Sequence, residues 1–160
     1  MEILWAPWRG RYVTATEKGG GCVLCQALAG ACEERSLVVR VQEHAFALMN
    51  LYPYNSGHVM IAPKRHIGAL SEATADELGE IMALAQQLER LYAQLYRPDG
   101  MNLGMNLGRS AGAGVADHIH LHLVPRWIGD TNFMTVSGST RVVPEDPYEA
   151  CLRLRAALEK

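Results

Sequence analysis

Three histidines alternate with aliphatic residues in one short segment of the C-terminal half. Residues 118–124 read His-Ile-His-Leu-His-Leu-Val. Successive side chains of a β-strand point to opposite faces, so this alternation predicts a strand with three imidazoles on one face and aliphatic side chains on the other. Neutral imidazole acts as a nucleophile, a proton donor or a metal ligand near neutral pH. The segment therefore predicts both a buried strand and a chemical site on one of its faces.

The remaining apolar patterns predict an α+β fold. A mainly antiparallel five-stranded sheet is expected, with strands over residues 37–41, 45–49, 58–62, 101–107 and 118–124. Thr74 and Glu77 form a capping box that predicts the start of one long helix, and apolar residues recur at helical spacing until Pro98 and Gly100. A C-terminal helix is predicted over 147–159.

Length and charge limit the organisation and the partners. A chain of 160 residues predicts a single domain over 1–160, with an N-terminal strap at 1–21 and a C-terminal extension at 129–160. The formal net charge of −2 excludes a broad basic surface, so we expect no nucleic-acid partner. No apolar run resembles a secretion signal or a membrane span, so we expect a cytoplasmic protein with no membrane partner.

A glycine-rich loop leads into the histidine segment. Residues 106–114 read Asn-Leu-Gly-Arg-Ser-Ala-Gly-Ala-Gly. Small residues permit tight curvature, which turns successive amide N–H groups toward an anion. A flexible connection is the alternative, but the position of the loop beside the histidines favours an anion site.

Two of the four cysteines form a C-x-x-C turn, Cys22 and Cys25, whereas Cys32 and Cys151 are isolated. In a reducing compartment such a pair indicates a metal or redox site rather than a structural disulfide. Two thiolates need two further ligands to close a tetrahedral zinc site. A reduced, metal-free turn is the alternative.

Together these motifs resemble the histidine triad superfamily of nucleotide hydrolases and transferases, whose signature is His-x-His-x-His followed by apolar residues. The resemblance runs from about residue 22 to 127. Residues 106–133 are similar to the diadenosine tetraphosphate phosphorylases, and the fragile histidine triad branch of dinucleoside polyphosphate hydrolases is also similar. The resemblance implies cleavage at a nucleotide α-phosphate, by phosphorolysis or hydrolysis.

The resemblance also implies the catalytic roles. His120 would attack the α-phosphorus and form a nucleotidyl-imidazole intermediate, which water or phosphate then releases. His122 and the backbone donors of Ala113 and Gly114 would stabilise the negative charge that develops on the phosphoryl oxygens. His58 matches a fourth family histidine near the α-phosphate.

Substrate-binding residues follow from the same resemblance. Asn50 matches the residue that binds the ribose hydroxyls, Leu48 and Leu51 would flank the base, and Asn106 matches a polar position near the phosphates. Many relatives carry Ser or Thr where this chain has Gly114, which leaves only a backbone donor there.

Zinc and self-association are implied in the same way. His66 and His118 match the third and fourth ligands of zinc-bearing members, so the resemblance implies a structural zinc held with Cys22 and Cys25, and no organic cofactor. It also implies a homodimer or higher homo-oligomer, because related protomers pair through their sheets and the long helix.

Three other readings of the sequence stay open. A nucleoside phosphoramidase of the same superfamily would use the same nucleophile on another substrate. A nucleotide-binding sensor would use the pocket without turnover. A catalytic metal site would instead hold one ion with all three triad histidines.

Overall fold

The computed structural model describes residues 21–130 and 145–159. The helices are α1 (Val23–Ala29), α2 (Ala75–Leu95) and α3 (Pro147–Leu158), with 3₁₀ turns at Leu70–Glu72 and Arg109–Ala111. The strands are β1 (Val38–Val41), β2 (Ala45–Met49), β3 (Val59–Pro63), β4 (Gly100–Met105) and β5 (Leu121–Arg126). Positions 1–20 of the predicted strap and 131–144 and 160 of the predicted extension lie outside the described residues.

All five strands form one antiparallel sheet in the order β1-β2-β3-β5-β4. This sheet, the long helix α2 and the C-terminal helix α3 confirm the predicted α+β class. Among the described residues, no helix combines the length and the apolar character that crossing a membrane requires.

The two faces of the sheet have different coverings. On one face, β-strand residues such as Ala47, Ile61 and Leu123 pack in a core with Leu88 of α2 and Leu154 of α3. On the other, Phe46, Leu48 and Met60 pack against Leu24 of α1. Met60 pairs with His122 across β3 and β5, so His122 points to this second face. We call it the histidine face.

The predicted strand over 118–124 is wrong at both ends. β5 begins at Leu121 and continues to Arg126, so only His122 of the triad lies within the strand. The Ile119 amide instead donates to the Ile67 carbonyl in the segment after β3, at 2.8 Å. The alternation is confirmed for residues 121–123, because Leu121 and Leu123 join the core beneath the helices whereas His122 pairs with Met60 on the other face.

Three smaller differences have local causes. β4 ends at Met105, where the glycine-rich loop begins, rather than at 107. Helix α2 ends at Leu95, since Arg97 adopts a positive φ of 46° just before Pro98. The predicted C-x-x-C turn is a helix start, with Cys22 as the N-cap and Cys25 in the first turn of α1.

The predicted capping box at the start of α2 is confirmed. The Glu77 amide donates to Thr74 Oγ1 at 3.2 Å, and Glu77 Oε2 accepts from the Thr74 amide at 2.8 Å. The buried Glu77 carboxylate also accepts two hydrogen bonds of 2.7 Å from Arg65. The Arg65 bonds lower the pKa of Glu77 to about 2, against the opposing effect of burial. The pair therefore ties the segment after β3 to the long helix.

We expect Glu77→Gln to lower the free energy of unfolding by about 1–2 kcal/mol at pH 6, because it leaves Arg65 without its carboxylate. The folded-state pKa of Glu77 is depressed, so its contribution is complete above the unfolded pKa of about 4.3 and is lost as pH falls toward about 2. Urea unfolding at several pH values would measure how the difference in unfolding free energy between the wild type and Glu77→Gln decreases as pH falls.

The control is Asp76→Asn, which removes the neighbouring first-turn charge. It should change stability by less than about 1 kcal/mol. Equal losses in the two variants, or a Glu77→Gln effect that persists unchanged at pH 2, would contradict the role of the ion pair.

Candidate active site and metal site

Four histidines of the histidine face lie at the junction of β3 and β5. His58 immediately precedes β3, His122 lies in β5, and His118 and His120 precede β5. His58, His118 and His120 are buried, with 0%, 0% and 4% exposure. The sheet register brings them together, because β3 and β5 are neighbours although about sixty residues separate them in the chain.

Hydrogen bonds determine which nitrogen of His58 carries its proton. The Tyr54 amide donates to His58 Nδ1 at 3.0 Å, and Asn50 Nδ2 lies 3.4 Å from the same atom. Asn50 Oδ1 accepts from the Tyr52 amide at 2.9 Å, which orients the NH₂ group of Asn50 toward His58. Since His58 Nδ1 accepts, the neutral ring carries its proton on Nε2.

This proton orients the next ring. His58 Nε2 lies 2.9 Å from His122 Nδ1, so it donates and His122 Nδ1 accepts. Neutral His122 then carries its own proton on Nε2 and offers a hydrogen-bond donor. The Tyr54 ring lies over both imidazoles, with centroid separations of 4.6 Å to His58 and 5.6 Å to His122.

His120 is oriented by the main chain. Its Nδ1 lies 2.9 Å from the His118 carbonyl oxygen, which only accepts, so the proton is on Nδ1 and Nε2 keeps a lone pair. Burial lowers the pKa of His120, although the carbonyl bond opposes the shift. Its ring meets that of His122 edge-on at a centroid separation of 4.9 Å. A neutral imidazole with a free lone pair is a competent nucleophile.

The predicted phosphate loop is tightly wound beside these histidines. Met105 pairs with Leu121, so the loop starts one residue beyond the end of the β4–β5 ladder, next to His120. Gly112 adopts the left-handed conformation with φ 86°, which ends the 3₁₀ turn before it. The Ala113 amide donates to the Gly108 carbonyl at 3.4 Å, and Asn106 Nδ2 donates to the Gly112 carbonyl at 3.5 Å. Gly114 is half-buried.

The two predicted base-flanking leucines have different environments. Leu48 is buried in the apolar cluster of the histidine face, whereas Leu51 is 60% exposed. Both lie near the end of β2, on either side of the buried Asn50. The structure thus brings the predicted residues from β2 toward His58, with one leucine in the core and one accessible.

A second cluster lies on the same face, formed by Cys22, Cys25, His66 and His118. Their ligand atoms all lie within 4.8 Å of one another and could hold a metal ion. His118 Nδ1 lies 3.3 Å from Cys22 Sγ and 3.5 Å from Cys25 Sγ, and His66 Nδ1 lies 3.5 Å from Cys25 Sγ. These separations match the roughly 3.3–3.8 Å expected between ligand atoms at tetrahedral angles about zinc.

Three further observations fit a metal at this cluster. His118 Nε2 donates to the Pro63 carbonyl at 2.8 Å, which leaves Nδ1 with the lone pair that a ligand needs. Burial lowers the pKa of His118 and favours the neutral ring. Burial and the neighbouring Cys22 raise the pKa of the Cys25 thiol, so a thiolate pair here requires a compensating cation.

The triad histidines themselves do not form such a group. Within the part of the chain that the structure describes, the ligand atoms of His118, His120 and His122 do not converge as the four residues above do. His118 Nδ1 instead faces the two cysteines. This geometry disfavours the reading in which one catalytic ion is bound by all three triad histidines.

Sequence reasoning missed four groups that orient the histidines. They are the Pro63 carbonyl, the His118 carbonyl, the Tyr54 amide and the Tyr54 ring. Main-chain groups carry no residue-specific signal, so the three backbone partners could not be predicted. Tyr54, an aromatic residue in the turn just before His58, was the one side chain whose sequence position could have indicated contact with His58.

The chain is similar to known proteins of one family. The HIT domain model matches residues 31–127. The AP-4-A phosphorylase of Mycobacterium tuberculosis is 38% identical over 152 residues, which cover 91% of this chain and 78% of that protein. The bis(5'-adenosyl)-triphosphatase of Dictyostelium discoideum is 33% identical over 84 residues, 52% of this chain and 56% of that protein.

A crystal structure of a Zn-bound histidine triad family protein from Mycobacterium smegmatis has the same fold. It superimposes with a TM-score of 0.69 at 28% identity, covering 87% of this chain and 94% of that one.

Proposed function

This chain is an enzyme that belongs to the HIT family, and we propose that it cleaves dinucleoside polyphosphates, such as diadenosine tetraphosphate, at an α-phosphate. The reaction is phosphorolysis through a nucleotidyl-His120 intermediate. The observation that carries this proposal is the hydrogen bond from His120 Nδ1 to the His118 carbonyl, which leaves Nε2 with a lone pair. The mycobacterial AP-4-A phosphorylase, similar over 91% of the chain, supports the substrate class and the phosphate acceptor.

The first step forms the intermediate. The Nε2 lone pair of His120 attacks the α-phosphorus, a P–N bond forms, and the P–O bond to the leaving polyphosphate breaks with its electron pair on the departing oxygen. The Nε2–H of His122 donates to a phosphoryl oxygen as negative charge develops there. His58 holds His122 in the tautomer that makes this possible. With diadenosine tetraphosphate the leaving group is ATP.

The second step releases the nucleotide. An oxygen of inorganic phosphate attacks the same phosphorus, the P–N bond breaks, and its electron pair returns to His120 Nε2. Adenylyl transfer to phosphate yields ADP, whereas transfer to water would yield AMP. Burial keeps the pKa of His120 low, so the released ring is neutral and ready for another cycle.

Substrate binding is assigned to the residues beside this centre. Asn50 contacts the ribose hydroxyls, and Leu48 and Leu51 flank the base. Asn106 and the amides of Ala113 and Gly114 contact the phosphates. The hydrogen bond from the Ala113 amide to the Gly108 carbonyl is long, at 3.4 Å. Exchanging it for a hydrogen bond to a phosphate oxygen therefore loses little interaction energy.

Zinc is the proposed metal at Cys22, Cys25, His66 and His118, because two thiolates and two imidazoles are a donor set that favours it over harder cations. When bound, the ion supplies a structural link and no chemistry in the transfer. These residues would join α1 and the segment after β3 to the loop that carries His120.

A homodimer is the proposed assembly. β4 is an outer strand of the described sheet, and its Leu103 side chain is 48% exposed. An outer strand offers unpaired main-chain groups that a second copy can pair with, which supports self-association.

We expect the wild-type enzyme, given diadenosine tetraphosphate and radiolabelled phosphate, to produce labelled ADP and unlabelled ATP. His120→Ala should lower this rate by about a thousandfold or more, because it removes the attacking nitrogen. Chromatography of the labelled products would measure both effects.

His44→Ala is the matched control, because His44 is a half-exposed histidine on the β1–β2 turn, paired with Glu43, and should keep wild-type activity. Full activity of His120→Ala would refute the nucleophile. Unlabelled AMP in place of labelled ADP would change the acceptor to water, and cleavage of nucleoside phosphoramidates alone would change the substrate class.

We expect the purified protein to contain one zinc ion per chain and Cys22→Ser to lose it, because the variant lacks one of four ligands. Inductively coupled plasma mass spectrometry would measure the metal. Cys32→Ser, which removes an exposed thiol of the same segment, is the control and should keep zinc. Zinc that depends on His120 and persists in Cys22→Ser would contradict the assignment.

We expect a solution mass of about twice the 17.6 kDa chain mass at micromolar concentration. Light scattering coupled to size-exclusion chromatography would measure it. Leu103→Lys places a charge on the proposed contact strand and should shift the mass toward the monomer. A monomeric wild-type protein would rule out the dimer.

A further inference from the structure

Tyr92 of α2 reaches from the helix-packed core to the turn that precedes His58. The side chain is fully buried, and its hydroxyl donates to the Gly57 carbonyl. Burial raises the pKa of Tyr92 well above its ordinary value, so the hydroxyl stays protonated and acts as a donor. Neither the alternating histidines nor the apolar stripe of α2 assigns this residue to the site.

The turn is pressed closely against the Tyr92 ring. Gly57 has a φ of 73°, a conformation that glycine adopts without strain. A Cβ at this position would lie 2.9 Å from Tyr92 Cε1 and 3.3 Å from Pro125 Cγ. The chain therefore passes between α2 and β5 with no room for a side chain.

Both polar ends of the Gly57–His58 peptide are bound. The carbonyl accepts from Tyr92, and the His58 amide on the other side donates to the Asn55 carbonyl at 3.2 Å. A rotation of this peptide unit would break both hydrogen bonds and leave a carbonyl unpaired next to a buried ring, which is unfavourable. Glycine has no side chain that would hinder such a rotation, so the two hydrogen bonds are what keep the peptide in this orientation.

The orientation of this peptide is passed on to the histidine pair. His58 has no solvent exposure, and its Nε2 lies 2.9 Å from His122 Nδ1. A change in the backbone at His58 moves its ring relative to both the Tyr54 amide and His122. This movement weakens the two hydrogen bonds of His58 that place a proton on His122 Nε2.

We propose that Tyr92 is a positioning residue for the His58–His122 pair, acting by holding the Gly57 carbonyl rather than by touching substrate. The effect on catalysis rests on the proposed function, in which the Nε2–H of His122 stabilises the transferring phosphoryl group. The effect on the two imidazoles does not, because it is present in the free protein.

Tyr92→Phe is the direct test, since it keeps the ring and removes the hydroxyl. Two-bond ¹H–¹⁵N spectra distinguish protonated from unprotonated ring nitrogens. In the wild type they should show His58 and His122 each protonated on Nε2. In Tyr92→Phe we expect a mixture of tautomers, with kcat about 10- to 100-fold lower and KM little changed.

Tyr96→Phe is the matched control. Tyr96 is the C-cap residue just after α2, its ring is 5.2 Å from that of Tyr92, and its hydroxyl donates to Glu145 Oε1 at 3.1 Å. Tyr96→Phe removes the same group one turn beyond Tyr92 without touching the turn at Gly57. We expect wild-type histidine spectra and wild-type kcat, whatever its melting temperature.

Gly57→Ala perturbs the same turn while keeping the Tyr92 hydroxyl, and should give the same mixed spectra if Tyr92→Phe does not fold. The proposal is overturned if either folded variant keeps the wild-type tautomers and kcat. Failure of the proposed function has a different signature. The free-protein spectra then still change in Tyr92→Phe, although the wild type does not cleave dinucleotides.

Discussion

Burial of Leu121 and Leu123 fixes the direction of His122. Leu121 and Leu123 face the core beneath α2 and α3, so the residue between them must face the opposite side of the sheet. A shift of one residue would place imidazoles in the core beneath the helices and remove the two leucines from it. The lost apolar packing would cost on the order of several kcal/mol, more than a single histidine hydrogen bond contributes. The position of the site is thus a consequence of core packing.

Local hydrogen-bond partners then make three identical side chains different. The Pro63 carbonyl binds His118 Nε2 and leaves its Nδ1 for the cysteines, whereas the His118 carbonyl binds His120 Nδ1 and leaves its Nε2 free. His122 accepts at Nδ1 from His58. The rings therefore present an unprotonated Nδ1 in His118, an unprotonated Nε2 in His120 and a protonated Nε2 in His122. Local partners, and no property of imidazole itself, separate the proposed metal ligand, the proposed nucleophile and the proposed donor.

Patterns that act over a few residues were predictable from the sequence. The alternation around His122 and the capping box at Thr74 both follow from local geometry, and both are present. The start of β5 was not predictable, because it depends on a hydrogen bond from the Ile119 amide to the carbonyl of Ile67, which is distant in the sequence. The α1 helix was missed because its seven residues are stabilised by packing of Leu24 and carry no side-chain cap bond. In the site, the residue types were predictable from the sequence. The positions of the imidazole protons were not, because they depend on hydrogen-bond partners that only the structure shows.

His118 takes part in two networks through two different parts of one residue. Its imidazole faces Cys22 and Cys25, but the bond that orients His120 uses its carbonyl oxygen. Every amino acid has that oxygen, whereas few have a ligating nitrogen. A lineage could therefore replace residue 118, and with it the cysteines, while His120 kept its orientation. The proposed metal site and the proposed nucleophile share a residue and are nevertheless separable in evolution.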